Sequence, residues 1–220
     1  MTHDSVGVAV AQFAPSASKH TNLESIAALA RTAAARGARV VVFPEYSSYF
    51  VDPFDLSLAE NAEDLDGPFT EALRALADEL DVVLVAGLVE RADDGRRVRN
   101  AVVAVGGAGI RAVYRKLHLY DAFGQRESDW VAPGEIAPPE TFETDGLRFG
   151  LMTCYDLRFP EVARTLADAA WTSPWSRPSG CAARSRSITG RRCCRPARSR
   201  TPSSSPARIT RRRSASDTPW

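Results

Sequence analysis

The stretch ARVVVFPE, at residues 38–45, decides the fold of this 220-residue chain. Its run of β-branched and aromatic residues is typical of a β-strand. The strand must end at Pro44, because proline has no N–H to donate to a neighbouring strand. Glu45 follows at once, so the stretch predicts a carboxylate held at the end of a strand.

A strand and a helix come before this stretch. Residues 6–14, VGVAVAQFA, form an apolar run of strand length. Thr21 and Glu24 then have the spacing of a capping box, which predicts the start of an Ala- and Leu-rich helix that ends at Gly37. This part of the chain is therefore predicted to be a strand followed by a helix.

The same alternation continues after the stretch. Gly67 and Pro68 predict the start of a second helix, over residues 69–80, and Pro160 predicts the start of a last one. Between them lie strand-length apolar runs at residues 82–90, 99–106, 110–119 and, after a polar loop to about residue 138, 147–154. Helices that alternate with strands, followed by a meander, indicate an α/β fold with a mixed sheet.

Three side chains with catalytic chemistry follow these apolar runs: Glu45, Lys116 and Cys154. In open α/β sheets, functional sites lie at the edge where the carboxyl ends of the strands meet. A cysteine at a sharp turn from strand to helix is presented like the serine of a nucleophile elbow, with backbone N–H groups available to an oxyanion. Its thiol needs a base or a nearby cation at neutral pH. Glu45 and Lys116 supply both, so the pattern predicts acyl transfer.

Each of these residues also has a purely structural interpretation. A cysteine at a strand end is commonly a core residue, and a glutamate or lysine after a strand is commonly solvated. His118 alternates with Lys116 and could form a Cys/His pair with Cys154. A histidine at a strand end is more often structural, however, so we leave His118 out of the predicted chemistry.

Three motifs in this order resemble those of the nitrilase superfamily of carbon–nitrogen hydrolases. They are VVVFPEYS around Glu45, YRKLHLYD around Lys116 and GLMTCYDLRFPE around Cys154. The resemblance covers residues 6–168 and implies that the α/β fold is the α-β-β-α sandwich of that superfamily. The third motif is most similar to the omega-amidase-like branch, which acts on ω-amides of small dicarboxylates.

The resemblance also implies a role for each site residue. Glu45 would be the general base, Lys116 the cation that stabilises the tetrahedral intermediate, and Cys154 the nucleophile that forms a thioester with loss of ammonia or an amine. Glu127, in FGQRESDWVAPG, matches the family's second glutamate, which would orient the base, the lysine or the substrate. The backbone N–H of Tyr155 would join Lys116 at the oxyanion. The implied enzyme is a thiol-dependent amidohydrolase without metal or cofactor, and the alternative is an N-carbamoyl amide hydrolase or a nitrilase.

Composition excludes several classes of protein. The chain is 44% hydrophobic and 25% charged, which is typical of a globular protein and not of a disordered or collagen-like one. No apolar run approaches the roughly eighteen residues of a membrane span, and the N-terminal sequence lacks the pattern of a secretory signal. We expect a cytoplasmic protein with a small-molecule amide substrate and no membrane partner, which forms a homo-oligomer when intact.

Residues 169–220 form an Arg/Ser/Pro-rich tail unlike the domain of residues 1–168. The tail has 12 arginines and one acid, and its formal net charge is +11 against −10 for the domain. It contains no Leu, Val, Phe, Met or Tyr, so it cannot build a core and is predicted to be disordered. Cys181, Cys193 and Cys194 lie in it without the spacing of a zinc site.

A shift of the reading frame accounts for this tail. Read one base late, its codons can encode, without a stop, two β-runs, an amphipathic helix and the A-L-E-N element that the superfamily has beyond its cysteine. The tail as written has none of these. We infer the loss of one base near the codons of Asp168 to Ala170, which leaves the sandwich incomplete after about residue 168 and this chain impaired.

The alternative is that the tail is a genuine basic arm on an inactive protein. Twelve arginines would bind the phosphates of RNA or DNA, and Trp171, Trp175 and Trp220 could stack on bases. A functional arm has no reason to decode into the missing half of a domain. We therefore favour the shifted frame and expect no specific nucleic-acid partner.

Overall fold

The computed structural model describes residues 5–171 of the chain. Almost the whole predicted domain is therefore covered. The predictions for the rest of the tail, namely its disorder, its three cysteines and its contacts with nucleic acid, lie outside the described residues.

A five-stranded mixed sheet forms the centre of the described domain. Its strands lie side by side in chain order: β1 (Val8–Val10), β2 (Val40–Val42), β3 (Val83–Arg91), β4 (Val98–Gly106) and β5 (Gly109–Arg115). The first three strands are parallel, because helices connect them, whereas β4 and β5 follow short turns and are antiparallel to their neighbours. The prediction of an α/β fold with a mixed sheet is confirmed.

Two long helices pack on one face of this sheet. Helix α1 spans Lys19–Ala35, helix α3 spans Pro68–Leu80, and a single turn between them, α2, spans Ser57–Glu60. Ile26 of α1 and Leu73 of α3 are fully buried in one core with residues of β2, β3 and β4. The apolar runs that predicted these strands are therefore buried on this side by the apolar faces of the helices.

The start of α1 differs from the sequence prediction. The predicted capping box began at Thr21, whereas the N-cap is Ser18, whose hydroxyl accepts a hydrogen bond from the Thr21 N–H. Ser18 is itself a favoured N-cap residue, and its backbone carbonyl accepts the Asn22 N–H, so the turn from residue 18 to residue 22 is already helical. The helix therefore begins one turn earlier than the local pattern indicates.

A separate two-stranded sheet lies on the other face of the main sheet. It consists of β6 (Thr141–Thr144) and β7 (Leu147–Gly150), which are antiparallel. Phe142 and Phe149 stack on each other and pack in a core with valines of β2, β3 and β4. This pair of strands is the second β-layer of the sandwich.

The strand predicted over residues 147–154 was too long. It ends at Gly150, four residues before Cys154. The reason is that β6 supplies its hydrogen-bonding partners and begins at Thr141, which is the residue paired with Gly150. The cysteine is therefore reached through a short extended segment outside the sheet.

The last described element is helix α4, Pro160–Trp171. It begins at the predicted proline and continues three residues past the predicted boundary at residue 168, because alanines at 169 and 170 favour a helix. Leu166 packs on Gly150 of β7, which places α4 as the outer layer of the α-β-β-α arrangement. None of the helices between residues 5 and 171 is long and apolar enough to cross a membrane.

Strand β1 is an edge of the main sheet. Its valines belong to an apolar run, yet Val8 is 41% exposed and Val10 is 79% exposed. Unpaired strand edges with apolar side chains favour association with further strands. Within residues 5–171 nothing covers this edge.

Candidate active site

The three predicted catalytic residues come together at one end of the main sheet. Glu45 follows β2 and Lys116 directly follows β5. Strand β2 pairs with β3 in parallel, and β5 is separated from β3 by the antiparallel strand β4, so β2 and β5 run in the same direction. Their C-terminal ends therefore lie at the same edge of the sheet. Cys154 reaches the same edge from β7 and interacts electrostatically with both residues.

Lys116 lies between two carboxylates. Its Nζ is 3.0 Å from Oε1 of Glu45, 3.0 Å from Oε1 of Glu127 and 2.9 Å from Oε2 of Glu127. The lysine side chain is only 2% exposed. Burial disfavours the ammonium, but the two carboxylates outweigh this effect, so the pKa of Lys116 is raised above its ordinary value. Lys116 is a buried cation held in one place.

Glu127 is fixed by donors from two other segments. It begins a short 3₁₀ helix, Glu127–Asp129, and is buried. The Tyr46 hydroxyl donates to its Oε1 at 2.8 Å, and the Tyr120 N–H donates to its Oε2 at 2.6 Å. Burial and the charge of Glu127 raise the pKa of the Tyr46 hydroxyl, so this group stays a donor. The structure thus brings the carboxylate of Glu127 to the ammonium of Lys116.

Asn100 is a member of this network that the sequence analysis missed. It lies in β4 and is 1% exposed. Its Nδ2 donates to Oε1 of Glu45 at 2.7 Å and lies 3.4 Å from Oε1 of Glu127, while its backbone carbonyl accepts the Lys116 N–H. The available signal was a single amide inside the apolar run RNAVVAVG, because a buried polar group needs partners.

Cys154 occupies the sharp turn that the sequence predicted. It begins a short 3₁₀ helix, Cys154–Arg158, and its φ is +46°, in the left-handed region. A non-glycine residue there costs about 1–3 kcal/mol and persists only where the surrounding structure holds it. The turn leaves the cysteine exposed, so its thiol is accessible from solvent.

The thiol is in its neutral form at rest. Partial burial of the sulfur and the negative charge of Glu45 raise the pKa of Cys154, and Lys116 opposes them without cancelling them. At neutral pH the sulfur therefore keeps its proton next to a carboxylate able to accept it. This arrangement favours activation by a general base over a preformed thiolate.

Tyr155 follows the cysteine in the same 3₁₀ helix. The N–H of the second residue of a helix has no acceptor within that helix, which leaves it available to a substrate oxygen. The tyrosine ring packs edge-on against Tyr120 and Phe159, with centroid distances of 5.0 and 5.4 Å. These ring contacts hold the backbone beside the thiol.

The assembled groups have the chemistry of acyl transfer. They comprise a thiol, a carboxylate beside it, a fixed ammonium and a backbone N–H at one turn. Between residues 5 and 171 no cluster of three or more His, Cys, Asp or Glu side chains is placed to bind a metal ion.

Alkylation of Cys154 will show its raised pKa. In a chain with Cys181→Ser, Cys193→Ser and Cys194→Ser, iodoacetamide modifies only Cys154, and its rate follows the thiolate fraction. A raised pKa places the midpoint of the rate against pH above that of a free cysteine peptide. Glu45→Gln removes a negative charge and will lower this midpoint.

The opposite shift in the Glu45→Gln chain would contradict this assignment of charges. Glu24→Gln is the matched control, because Glu24 is exposed on α1 and pairs only with His20 among the described contacts. It should leave the midpoint unchanged.

Comparison with known proteins assigns this geometry to a family. The family model for carbon–nitrogen hydrolases matches residues 7–171. The chain therefore belongs to the carbon–nitrogen hydrolase family, a family of hydrolases, and the resemblance to the nitrilase superfamily is confirmed.

Individual relatives agree with this assignment. The chain is 39% identical over 158 residues to deaminated glutathione amidase of Escherichia coli O157:H7, which covers 71% of this chain and 59% of that protein. It is 32% identical over 166 residues to omega-amidase NIT2 of Homo sapiens, covering 73% and 58%. A solved carbon–nitrogen hydrolase from Helicobacter pylori G27 is 29% identical, with a TM-score of 0.62, covering 74% and 56%. The chain thus spans somewhat more than half the length of these relatives.

Proposed function

We propose that this chain carries the catalytic part of an enzyme that hydrolyses a small amide through a cysteine thioester. The observation that carries the proposal is Lys116, fixed between Glu45 and Glu127 beside the thiol of Cys154. A nucleophile, a base and a fixed positive charge are the three requirements of acyl transfer.

The first half-reaction forms the thioester. The sulfur of Cys154 attacks the amide carbon while Glu45 takes the thiol proton. The carbonyl oxygen becomes an oxyanion, which the Lys116 ammonium and the Tyr155 N–H stabilise. When the tetrahedral intermediate collapses, the C–N bond breaks and the proton passes from Glu45 to the nitrogen, which leaves as ammonia.

The second half-reaction releases the acid. A water molecule attacks the thioester carbon and gives a proton to Glu45. The C–S bond then breaks, and Glu45 returns that proton to the sulfur of Cys154. The sum is amide and water converted to carboxylic acid and ammonia. Glu127 holds Lys116 in place through both half-reactions by the contacts of its two carboxylate oxygens with Nζ.

The ω-amides of small dicarboxylates are the proposed substrates. The elbow CYDLRFPE supports this class, as do the names of two relatives, an omega-amidase and a deaminated glutathione amidase. N-carbamoyl amides and nitriles are the alternatives, since both react through the same thiol. Ammonia release from a panel of the three classes, by a chain whose reading frame has been restored, distinguishes them. Turnover of none of them by that chain would refute the proposed activity.

The reading frame after residue 168 determines the stability and the activity of the chain under this proposal. We propose that residues 1–168 are the N-terminal part of the hydrolase domain and that residues 169–220 come from a shifted frame. In the frame-restored chain, whose gene has the missing base put back, further strands can cover the β1 edge where Val10 is 79% exposed. That burial stabilises the domain by about 25 cal/mol per Å² of apolar surface.

We expect the frame-restored chain to unfold at a higher temperature than the 220-residue chain and to release ammonia faster. Thermal unfolding and ammonia release measured side by side provide the check. Equal unfolding temperatures and equal turnover would refute the shifted frame.

A basic arm is the second candidate for residues 169–220, on account of its 12 arginines. Under this proposal the 220-residue chain binds oligonucleotides, and its affinity falls steeply with salt. The shifted frame instead gives binding without preference for sequence or for RNA over DNA. Competition between different oligonucleotides separates the two.

Location and assembly are also proposals. We place the activity in the cytoplasm, because the mechanism needs a free thiol and reducing compartments keep thiols free. Exposed apolar side chains at Phe123 and Ile136 support association of the intact enzyme into a homo-oligomer. Cell fractionation and light scattering of the frame-restored chain test these two points.

A further inference from the structure

His118 is held by the turn that carries the nucleophile. Its backbone N–H donates to Oδ1 of Asp156 at 3.0 Å, and its ring Nδ1 lies 2.7 Å from the same oxygen. Its ring also stacks on Phe159, with centroids 3.6 Å apart and planes inclined by 7°. Asp156 and Phe159 lie two and five residues after Cys154. The segment that follows the nucleophile therefore contacts His118 both by a hydrogen bond and by a ring stack.

Asp156 is the centre of these contacts. It is 0% exposed, and burying a carboxylate is costly unless partners surround it. Its Oδ1 receives both contacts from His118. Its Oδ2 makes no hydrogen bond among the described residues, and neither does the nearby hydroxyl of Tyr114 in β5, whose pKa is raised by burial and by this carboxylate. Tyr114 and His118 lie two residues before and two residues after Lys116. A buried carboxylate thus joins the elbow to the end of β5.

The joined segments carry the nucleophile and the cation that must meet at the reacting carbonyl group. Lys116 is fixed from the sheet side, since its N–H donates to Asn100 and its carbonyl accepts from Gly134. Cys154 has a left-handed backbone that only surrounding contacts can maintain. His118 lies two residues after Lys116 and is bonded to Asp156, which lies two residues after Cys154, so it links the two segments.

We propose that His118, Asp156 and Phe159 form an elbow clamp that fixes the thiol of Cys154 against the ammonium of Lys116. The three are positioning residues, because none of them takes part in the proton transfers of the proposed reaction.

The test measures how strongly Lys116 acts on the thiol. The full chain is used with Cys181→Ser, Cys193→Ser and Cys194→Ser, and the rate of iodoacetamide alkylation is followed against pH. Because Lys116 lowers the pKa of Cys154, a Lys116→Met chain has a higher midpoint. We define the lysine–thiol coupling as the difference in alkylation midpoint between the Lys116→Met chain and the chain that keeps Lys116.

A second coupling uses the opposite charge. Glu45→Gln lowers the midpoint, since the charge of Glu45 raises the pKa of the thiol. Either coupling reports how close Cys154 is to the sheet-borne charges. Neither depends on turnover of an amide.

Two substitutions of His118 separate its two contacts. His118→Phe keeps a ring that stacks on Phe159 and loses the donor to Asp156, whereas His118→Asn keeps a donor and loses the stack. We expect both couplings to fall by roughly half or more in each variant. His20→Phe is the matched control, because His20 is exposed on α1, and it should leave the couplings unchanged.

Unchanged couplings in both His118 variants would overturn the clamp. If circular dichroism shows that these variants have lost the folded domain, Asp156→Asn decides, since it keeps the shape of the side chain. Reduced couplings in a folded Asp156→Asn chain support the clamp, and unchanged couplings overturn it.

The consequence for catalysis rests on the proposed function. In a chain that hydrolyses amides, the His118 variants should lower kcat roughly tenfold and leave KM within about twofold, because the clamp positions groups for the transition state and binds no substrate. A rise in KM at constant kcat would overturn the positioning role. Failure of every chain to hydrolyse an amide would refute the proposed function and leave the thiol couplings as they were measured.

Discussion

Replacing Cys154 by alanine will abolish amide hydrolysis. No other group at the site can form the covalent acyl intermediate, and losing the nucleophile of a covalent mechanism costs roughly four or more orders of magnitude in rate. Cys154→Ser will leave at most a trace, because a hydroxyl beside Glu45 is far harder to deprotonate than the thiol. Ammonia release by the frame-restored chain measures both effects.

Mass spectrometry provides an independent check on this prediction. A thioester or an iodoacetamide adduct should be found on the peptide that contains Cys154 and should be absent from the Cys154→Ala chain. The 220-residue chain with Cys181→Ser, Cys193→Ser and Cys194→Ser is its control, because it loses three thiols and keeps the elbow. Turnover by the alanine variant near the rate of the unsubstituted enzyme would disprove the thioester mechanism.

Replacing Lys116 by alanine will slow hydrolysis on the order of a thousandfold, or about 4 kcal/mol in the activation free energy. The ammonium is the only positive charge bonded to the carboxylates of Glu45 and Glu127 among the described residues. Its removal takes away the stabilisation of the oxyanion and leaves two carboxylates facing each other. Steady-state kinetics will show the loss in kcat.

Lys19 provides a matched control for this substitution. It is the other lysine of the chain and also pairs with a buried carboxylate, that of Glu63, at 2.6 Å. Lys19→Ala should therefore lower stability without a comparable loss of kcat. A similar loss of kcat in both variants would show that Lys116 acts through stability alone.

The two glutamates are expected to differ in kind. Glu45→Gln removes the base and should be as severe as Lys116→Ala, whereas Glu127→Gln weakens the hold on the lysine. Retention of full activity by Glu127→Gln, with the other two variants disabled, would show that Glu127 is wrongly placed among the functional residues.

The main sheet and its helices could be predicted from local patterns. The runs at residues 38–45, 82–90 and 99–106 are long, apolar and β-branched, and each is buried in the structure because its pattern matches a strand covered by other layers. The start of α1 was misplaced by one turn, since both Ser18 and Thr21 can cap a helix and the structure uses the earlier one. Such pairs of candidate caps leave a helix boundary uncertain by a turn.

The positions of the proposed catalytic side chains could also be predicted, because strand ends, a proline and a sharp turn mark Glu45, Lys116 and Cys154. What those residues contact could not. Asn100 is one amide in an apolar strand, and only the pairing of β4 with β3 and β5 places it against Glu45. The sequence marks His118 only as a histidine near a strand end, whereas the fold places it against Asp156, 38 residues away in the chain.

Periodicity and short motifs were enough to predict the α/β class, the order of the elements, the family resemblance and the residue types at the site. Only the tertiary structure supplied the raised pKa of Cys154, the fixed cation and the contacts around His118. Those properties depend on burial and on distances between segments far apart in the chain. The raised pKa of Lys116 and its hydrogen bond to Glu45 exist only once the sheet has brought the two segments together.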